Sequence, residues 1–256
     1  MDRRTFIATT AGVGLASLAG CTTAAGSVAP PQVPESKLQA GGWVKQDEQQ
    51  GTIFERDYGP VTVTATSARV TYEDAALRES VSEQALGMVD GPLSMFFAAR
   101  IDFSPDLDDL PLGAGREQLL DAVETQSKAQ FEAQLKDVGL ENVREDGTGS
   151  LAVDTGESAS LTRYAADFTV DDMQFPVTEQ ETITIESQTL TVAGLLAVWH
   201  HGDAVLVAGG AHPAENFANQ TTHDLTDAIS VTVNVDLGLT PEAYEDELRT
   251  IVKAVR

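Results

Sequence analysis

The sequence predicts an α+β protein in which helices pack on a largely antiparallel sheet. Strand-like segments rich in β-branched residues follow one another in long runs, instead of alternating strictly with helices. Two segments with apolar residues at helical spacing stand apart from these runs, near 116–138 and near 240–255. The length of residues 42–256 fits a single domain.

The first predicted elements are a hairpin, a helix and a strand. Residues 52–56 and 61–72 are rich in β-branched residues and flank a Tyr-Gly-Pro turn signal. Apolar residues alternate with threonines in the second segment, so we expect one buried and one solvated face. Residues 74–86 have partial helical spacing, and LSMFFAARIDF (93–103) predicts a strongly apolar strand near the centre of the sheet.

The second half begins with the long helix near 116–138, which we expect to end at Gly139. Further strands are predicted at 157–170, 181–199, 204–210 and 228–237. Apolar and polar residues alternate regularly in the last of these strands, which predicts one buried face. Thr240 and Pro241 then fit the N-cap and first position of the C-terminal helix near 240–255.

The N-terminal segment MDRRTFIATTAGVGLASLAGC has three parts. Arg3 and Arg4, followed by Thr-Phe-Ile, resemble a twin-arginine export signal. The uncharged run 8–19 has the length of a signal-peptide core and is shorter than the roughly 20 residues of a membrane span. Small residues before Cys21 resemble a lipobox. We therefore predict that residues 1–20 are a signal peptide and that Cys21 carries a lipid, which would anchor the protein stably if it brings two chains.

Two alternatives to lipidation stay open at this point. One is an ordinary signal peptide with a chance cysteine, and the other is an uncleaved N-terminal anchor. Residues 21–41 are small, polar and proline-containing, and they predict a flexible tether with a reach of about 25 Å. The alternative for this segment is an extended arm packed on the domain.

The composition is strongly acidic. The chain has 16 Lys+Arg against 40 Asp+Glu, a net charge of −24. This charge argues against nucleic acid as a partner and against electrostatic docking on anionic lipids. High salt screens the self-repulsion of such a chain, so acidity combined with few lysines is typical of a halophilic protein.

All four histidines lie within one short segment, at His200, His201, His212 and His223. Imidazoles with nearby carboxylates could bind a divalent metal. However, the first pair lies at a predicted hairpin tip, and a strand of about 20 Å separates it from the third histidine. We therefore interpret the histidines as solvated turn residues and predict no metal, no cofactor and no catalytic residue.

Other candidate motifs are weak. The acidic stretch 102–109 and the pair Asp171-Asp172 lack the oxygen spacing of a calcium loop and are interpreted as solvated. The stretch GTGS (147–150) lacks the remainder of a phosphate-binding fingerprint and is interpreted as a linker. The glycine pair 209–210 predicts a corner or a pocket wall. Asn219 begins an N-x-T sequon in a predicted external loop, which makes it a candidate glycosylation site.

Two longer stretches carry a family resemblance. GLLAVWHHGDAVLVAGGAHP (194–213) and VTVNVDLGLTPEAYEDEL (231–248), together with the N-terminal signals and the acidic composition, resemble an uncharacterised family of twin-arginine-exported lipoproteins of halophilic archaea. The order of elements is also loosely similar to the α-β-α folds of PsbP-like proteins. The resemblance implies no activity and no site residue.

These observations together predict a lipid-anchored, extracytoplasmic protein of a halophile. The first functional hypothesis is a non-enzymatic binding or accessory module of unknown ligand, held at the membrane through a lipid on Cys21. The second is a metal-dependent or hydrolytic enzyme that uses the histidine-rich segment 200–223. The third is a structural component of the cell envelope.

Overall fold

The computed structural model describes residues 28–58, 61–89, 91, 93–106, 115–177, 181–226 and 229–256. The described helices are α1 (Glu35–Ala40), α2 (Ala75–Gln84), α3 (Gly115–Asp137) and α4 (Pro241–Lys253). The described strands are β1 (Trp43–Tyr58), β2 (Val61–Asp74), β3 (Met95–Ser104), β4 (Glu141–Ala152), β5 (Ser158–Val170), β6 (Met173–Pro176), β7 (Thr182–Ile185), β8 (Gln188–His201), β9 (Ala204–Pro213), β10 (Ala218–Thr226) and β11 (Ile229–Asp236).

Seven of these strands form one antiparallel sheet in the order β1-β2-β3-β9-β8-β5-β4. Two ribbons, β6-β7 and β10-β11, form separate two-stranded sheets. The predicted α+β class is confirmed in this general form, with sheet as the dominant element. The strand 93–103 is realised as β3, an inner strand between β2 and β9.

The large sheet buries side chains on both faces, because residues alternate between the faces along each strand. One face packs against α3 through a cluster that includes Phe97, Leu119, Phe131, Leu135 and Val207. The other face packs against α1 and α4 through a cluster that includes Leu38, Phe96, Leu206, Leu248 and Ile251. The sequences of the inner strands are therefore nearly continuous apolar runs, such as LLAVW in β8.

A third apolar cluster lies where α2 meets the ends of the strands and the two small ribbons. It includes Leu77, Val81, Ile185, Phe217 and Leu237. The helix begins with Asp74 as N-cap, whose carboxylate accepts a hydrogen bond from the Leu77 backbone N–H at 2.9 Å. The C-terminal helix begins at Pro241 as predicted, but the Thr240 side chain makes no capping hydrogen bond.

The predicted tether over 21–41 is wrong for its second part, since residues 28–41 pack on the domain. Val28 and Leu38 are buried, and residues 35–40 form α1. Gln32 exchanges two backbone hydrogen bonds with Arg256, at 2.6 and 2.9 Å. The physical reason is that this segment carries apolar residues that complete the α4 face of the core. Residues 21–27 lie outside the described part of the chain.

Several other boundaries differ from the predictions. The β1-β2 hairpin extends beyond the predicted range 52–72. The single strand predicted at 181–199 is in fact two strands, β7 and most of β8. The alternating strand 228–237 is β11, but it pairs only with β10, and Ile229 is 56% exposed. Two strands, β4 and β10, lie where a linker and a loop were expected.

Among the described helices, none combines the length and the apolar character needed to cross a membrane.

Candidate functional site

The candidate site is a cleft between the β1-β2 hairpin and α3. The cleft has a volume of about 430 Å³ at its outer, open part and narrows inward toward the apolar core. Its walls are mostly polar: amides from β1 and α3, the Ser67 hydroxyl, the guanidinium of Arg69, and the exposed carboxylate of Asp137 at the end of α3. A polar opening of this kind is unusual on a face that is otherwise sealed by a helix.

Arg69 lies on the core-facing side of β2 because of the strand period. Val63 and Ala65 of the same strand are fully buried on the α3 face, and two further steps of two residues reach Arg69. In the antiparallel register its neighbour on β1 is Gln49. Its guanidinium carbon lies 5.0 Å from the centre of the Phe97 ring, a cation–π contact.

No carboxylate of the described residues forms an ion pair with this guanidinium, although the chain has 40 acidic residues. The Nε atom of Arg69 is buried and makes no hydrogen bond within the described part of the protein. Burial lowers the pKa of Arg69, and the charge of Asp47 opposes that shift only in part. A half-buried cation without a partner is costly, and a bound anion would remove that cost.

The opposite wall of the cleft is a stripe of amides on α3. Gln126, Gln130 and Gln134 recur at intervals of four and so lie on one side of the helix, next to the buried row that contains Phe131. Ser127, which is 9% exposed, lies at the inner end of this wall. Amide and hydroxyl groups donate and accept hydrogen bonds without adding charge, so they can orient an anion held by Arg69.

The outer edge of the cleft is open because Gly51 of β1 has no side chain. Gly51 lies opposite Ser67 in the register, and a Cβ at this position would meet no atom within 4 Å. β1 is the edge strand of the sheet, so no further strand of the described chain pairs with it on that side. A ligand can therefore approach from the edge of the sheet.

A second, apolar cavity of about 50 Å³ adjoins the inner end of the cleft. Phe97, Phe131 and Gln134 line both spaces, and the two rings lie 5.6 Å apart. The other walls of the cavity are almost entirely apolar and come from β3, β8, β9 and the end of α3. The site thus combines a cationic polar entrance with an apolar interior.

The structure separates the four histidines. His200 and His201 lie at the end of β8, before a two-residue turn at Gly202-Asp203, which confirms the predicted hairpin tip. His212 lies at the other end of β9, so the predicted distance between the two ends of this hairpin agrees with the register. His223 lies in β10. The described residues contain no group of three or more His, Cys, Asp or Glu that could hold a metal.

His201 and His212 differ in their partners and burial, and His212 corrects the sequence interpretation. His201 Nδ1 lies 2.8 Å from Glu157 Oε1, and the Thr155 hydroxyl and this imidazole lower the pKa of Glu157 to about 2. His212 is only 4% exposed and is not a solvated turn residue. Its Nδ1 lies 2.9 Å from the Pro213 carbonyl oxygen, and burial lowers its pKa.

The other sequence candidates have structural roles or remain untested. Asp172 accepts a hydrogen bond from the Ser187 backbone N–H at 2.6 Å, and Asp102 pairs with Arg100 at 2.8 Å. Residues 107–109 of the acidic stretch lie outside the described residues. GTGS (147–150) is part of the edge strand β4 and not a linker.

The glycine pair and the sequon also differ from expectation. Gly209 and Gly210 lie inside β9 and form no corner. Glycine is needed at both positions because a Cβ would come within 2.5 and 2.1 Å of backbone oxygens. Gly210 does line the apolar cavity, which matches the pocket-wall alternative. Asn219 lies in β10 and not in a loop, and Thr221 Oγ1 donates to its Oδ1 at 3.5 Å. Its glycosylation stays a prediction, and Arg3, Arg4 and Cys21 lie outside the described residues.

Sequence reasoning missed both Arg69 and the amide stripe. A signal for Arg69 was present, because the alternation that begins at Val61 places this arginine on the buried face of β2. The four-residue spacing of Gln126, Gln130 and Gln134 was a second signal, since it marks one side of the long helix. A cation on a buried face opposite a row of amides is the pattern that indicates this cleft.

Comparison with known proteins gives a family and no activity. A search of curated proteins and a search of solved structures find no significant match. A family model described as a domain of unknown function, DUF6517, matches residues 30–256. The match begins inside the packed arm, which agrees with the structural finding that residues 28–41 belong to the folded part. The chain belongs to the DUF6517 family.

Proposed function

We propose that this protein is a lipid-anchored, extracytoplasmic binding module that holds a small anionic ligand in the cleft beside Arg69. The observation that carries the binding proposal is the unpaired guanidinium. In a chain of net charge −24, a cation that faces a cleft and has no carboxylate partner among the described residues is best explained by an anion supplied from outside.

The cleft supports binding more strongly than chemistry. Most of its other polar groups are amides and hydroxyls, from Gln49, Gln130, Gln134 and Ser67, which position a ligand but neither accept a proton nor attack at neutral pH. The lining also includes the exposed carboxylate of Asp137, which has no imidazole or thiol beside it among the residues that line the cleft. The buried imidazole of His212 lies on the opposite face of the sheet, beside Glu245 of α4. The guanidinium, amides and hydroxyls that line the cleft are therefore suited to binding a ligand.

The proposed location rests on the N-terminal sequence. The two arginines, the short apolar run and the small residues before Cys21 have the order of a twin-arginine signal that ends in a lipobox. Val28, seven residues after Cys21, is already buried in the domain, so an anchored domain would lie close to the membrane surface.

The test is native mass spectrometry of the full-length protein, extracted from its own membranes in high salt. The expected mass is that of residues 21–256 plus a lipid, with a small molecule bound without a covalent link. A mass that begins at Met1, or that lacks a lipid, would overturn the anchoring proposal.

A pair of variants tests the cleft in the same experiment. Arg69→Gln removes the cation and should lose the bound molecule, whereas Arg144→Gln should retain it. Arg144 is a suitable control because it is exposed on the opposite edge strand and pairs with Asp167 at 4.0 Å. Equal occupancy in wild type and Arg69→Gln, or no bound molecule on wild type even after incubation with a membrane extract, would contradict the binding proposal.

The halophilic part of the proposal has its own measurement. At millimolar salt the net charge of −24 repels itself over long distances, whereas the Debye length falls to roughly 3 Å at 1 M salt. We expect circular dichroism to show loss of folded structure when molar salt is dialysed away. An unchanged spectrum would contradict the halophilic origin.

A further inference from the structure

We propose that the ligand is an anionic amphiphile, with a carboxylate head held at Arg69 and an apolar chain that enters the cavity beyond Phe97 and Phe131. This inference rests on the proposed function and specifies its ligand class. It follows from the arrangement of the two adjoining spaces, from the weakness of a single ion pair in salt, and from the position of the entrance.

The two spaces form a continuous gradient of polarity. The outer cleft is lined by the Arg69 guanidinium, by Ser67, by amides and, at the end of α3, by the carboxylate of Asp137, whereas the inner cavity is lined mainly by apolar residues of β3, β8, β9 and α3. Gln134 borders the outer cleft, its inner end and the cavity, and it therefore marks the path between them. A fully polar anion would use only the outer part of this site.

The energetics of a single guanidinium also favour an amphiphile. A solvent-accessible ion pair contributes on the order of 1 kcal/mol or less, and molar salt weakens it further while chloride competes for the same cation. The negative charge of the whole chain opposes any anion. Selectivity over chloride must then come from apolar contact, and each buried methylene raises the affinity about fourfold.

The entrance of the cleft lies near the proposed anchor. Val28 accepts a hydrogen bond from Gln50 Nε2 at 3.0 Å through its carbonyl oxygen, and Gln50 also borders the cleft. Cys21 precedes Val28 by seven residues, which span at most about 25 Å when extended. An anchored molecule would thus hold the cleft within reach of a bilayer surface, where amphiphiles are concentrated.

Isothermal titration calorimetry in molar salt tests the ligand class with acetate, decanoate below its micelle concentration, and 1-decanol. We expect wild type to bind decanoate roughly 200-fold more tightly than acetate, which corresponds to burial of about four methylenes. Arg69→Gln should weaken decanoate binding by up to about fivefold, and Arg144→Gln should leave it unchanged.

A second pair of variants tests the entrance. Gly51→Trp should obstruct the cleft, because the position faces open space at its mouth, and decanoate binding should be lost. Gly149→Trp is the matched control, since Gly149 also lies in an edge strand and its Cβ would also meet no atom within 4 Å. Thermal unfolding in the same buffer checks that both variants are folded.

The outcomes distinguish the two proposals. If acetate and decanoate bind wild type equally and both are lost in Arg69→Gln, the anion site stands and the amphiphile inference is wrong. If decanoate binds Arg69→Gln as well as it binds wild type, or if decanol binds wild type as tightly as decanoate, the anion site itself is wrong. Equal effects of the two tryptophan variants would overturn the assigned entrance.

Discussion

The two faces of the large sheet are covered in different ways. On the α4 face, Leu248 lies so close to Gly210 that an added Cβ would come within 2.8 Å of it, and the helix seals the sheet. On the α3 face, the helix presents the amides of Gln130 and Gln134 beside its apolar row, and a cleft remains. The comparison teaches that one sheet can have a sealed, structural face and a face with a cleft, the proposed binding face, according to what the covering helix presents.

The largest effect should come from adding a methyl group on the sealed face. Gly210→Ala places a Cβ within 2.1 Å of the Met95 carbonyl oxygen, which is backbone and cannot move aside. Overpacking of this kind costs about 3 kcal/mol or more, so we expect marginal folding in urea titrations. Gly51→Ala on the cleft side should change the free energy of unfolding by less than about 0.5 kcal/mol. Similar stabilities of the two variants would contradict the sealed packing of α4.

Truncation of one leucine on each helix should give a smaller, still unequal effect. Leu248→Ala removes a fully buried side chain from the sealed face and should lower the free energy of unfolding by about 3 kcal/mol. Leu135→Ala, beside the existing cavity, should lower it by about 2 kcal/mol because its surroundings are already incompletely packed. Urea unfolding at fixed salt measures both variants, and a larger cost for Leu135→Ala would reverse the comparison.

Protonation of the sealed face is the third test. Burial lowers the pKa of His212, while the Pro213 carbonyl and the charge of Glu245 oppose this shift. Below pH about 6.5 the unfolded chain binds a proton at this histidine that the folded chain does not. The free energy of unfolding should therefore decrease as the pH is lowered, by at most about 1.4 kcal/mol per pH unit. His212→Gln should remove this slope, and the exposed His223→Gln should keep it. Urea midpoints between pH 5 and 8 provide the measurement.

The smallest effect should be a gain in stability on the binding face. Arg69→Met keeps much of the apolar stem and removes an unpaired guanidinium whose desolvation costs about 1 to 3 kcal/mol. The lost cation–π contact with Phe97 offsets about 0.5 to 1 kcal/mol of this gain, so the middle of both ranges gives a rise of about 1 kcal/mol in the free energy of unfolding. A clear loss of stability in urea unfolding would show that Arg69 is a structural residue.

The sequence predicted the parts of the fold whose side chains are buried on a regular period. The strand β2 and the helices α3 and α4 carry such a period, whereas β3 and β9 were recognisable as nearly continuous apolar runs. The edge strand β4 was missed because most of its side chains are exposed and its register is irregular near Gly147. The ribbon strand β10 was missed for a related reason, since a polar segment such as ANQTTHDLT is held mainly by backbone pairing with β11.

The candidate site was less predictable than the fold. Arg69 and Gln134 come from elements far apart in sequence, and only the packing of α3 on the sheet brings them to one cleft. The histidine segment drew attention because its members are close in sequence, yet the β8-β9 hairpin holds His201 and His212 at opposite ends. Sequence proximity is a poor guide to convergence when the intervening chain is a strand.

The two backbone hydrogen bonds between Gln32 and Arg256 have a practical consequence for labelling the protein with a fluorescent probe. They hold the C-terminal residue beside the arm that leads toward Cys21. A fluorophore attached after Arg256 would therefore report the height of the arm above a bilayer without touching the cleft. Quenching by lipid probes at graded depths would then measure, in one labelled molecule, how closely the domain approaches the membrane to which we propose it is anchored.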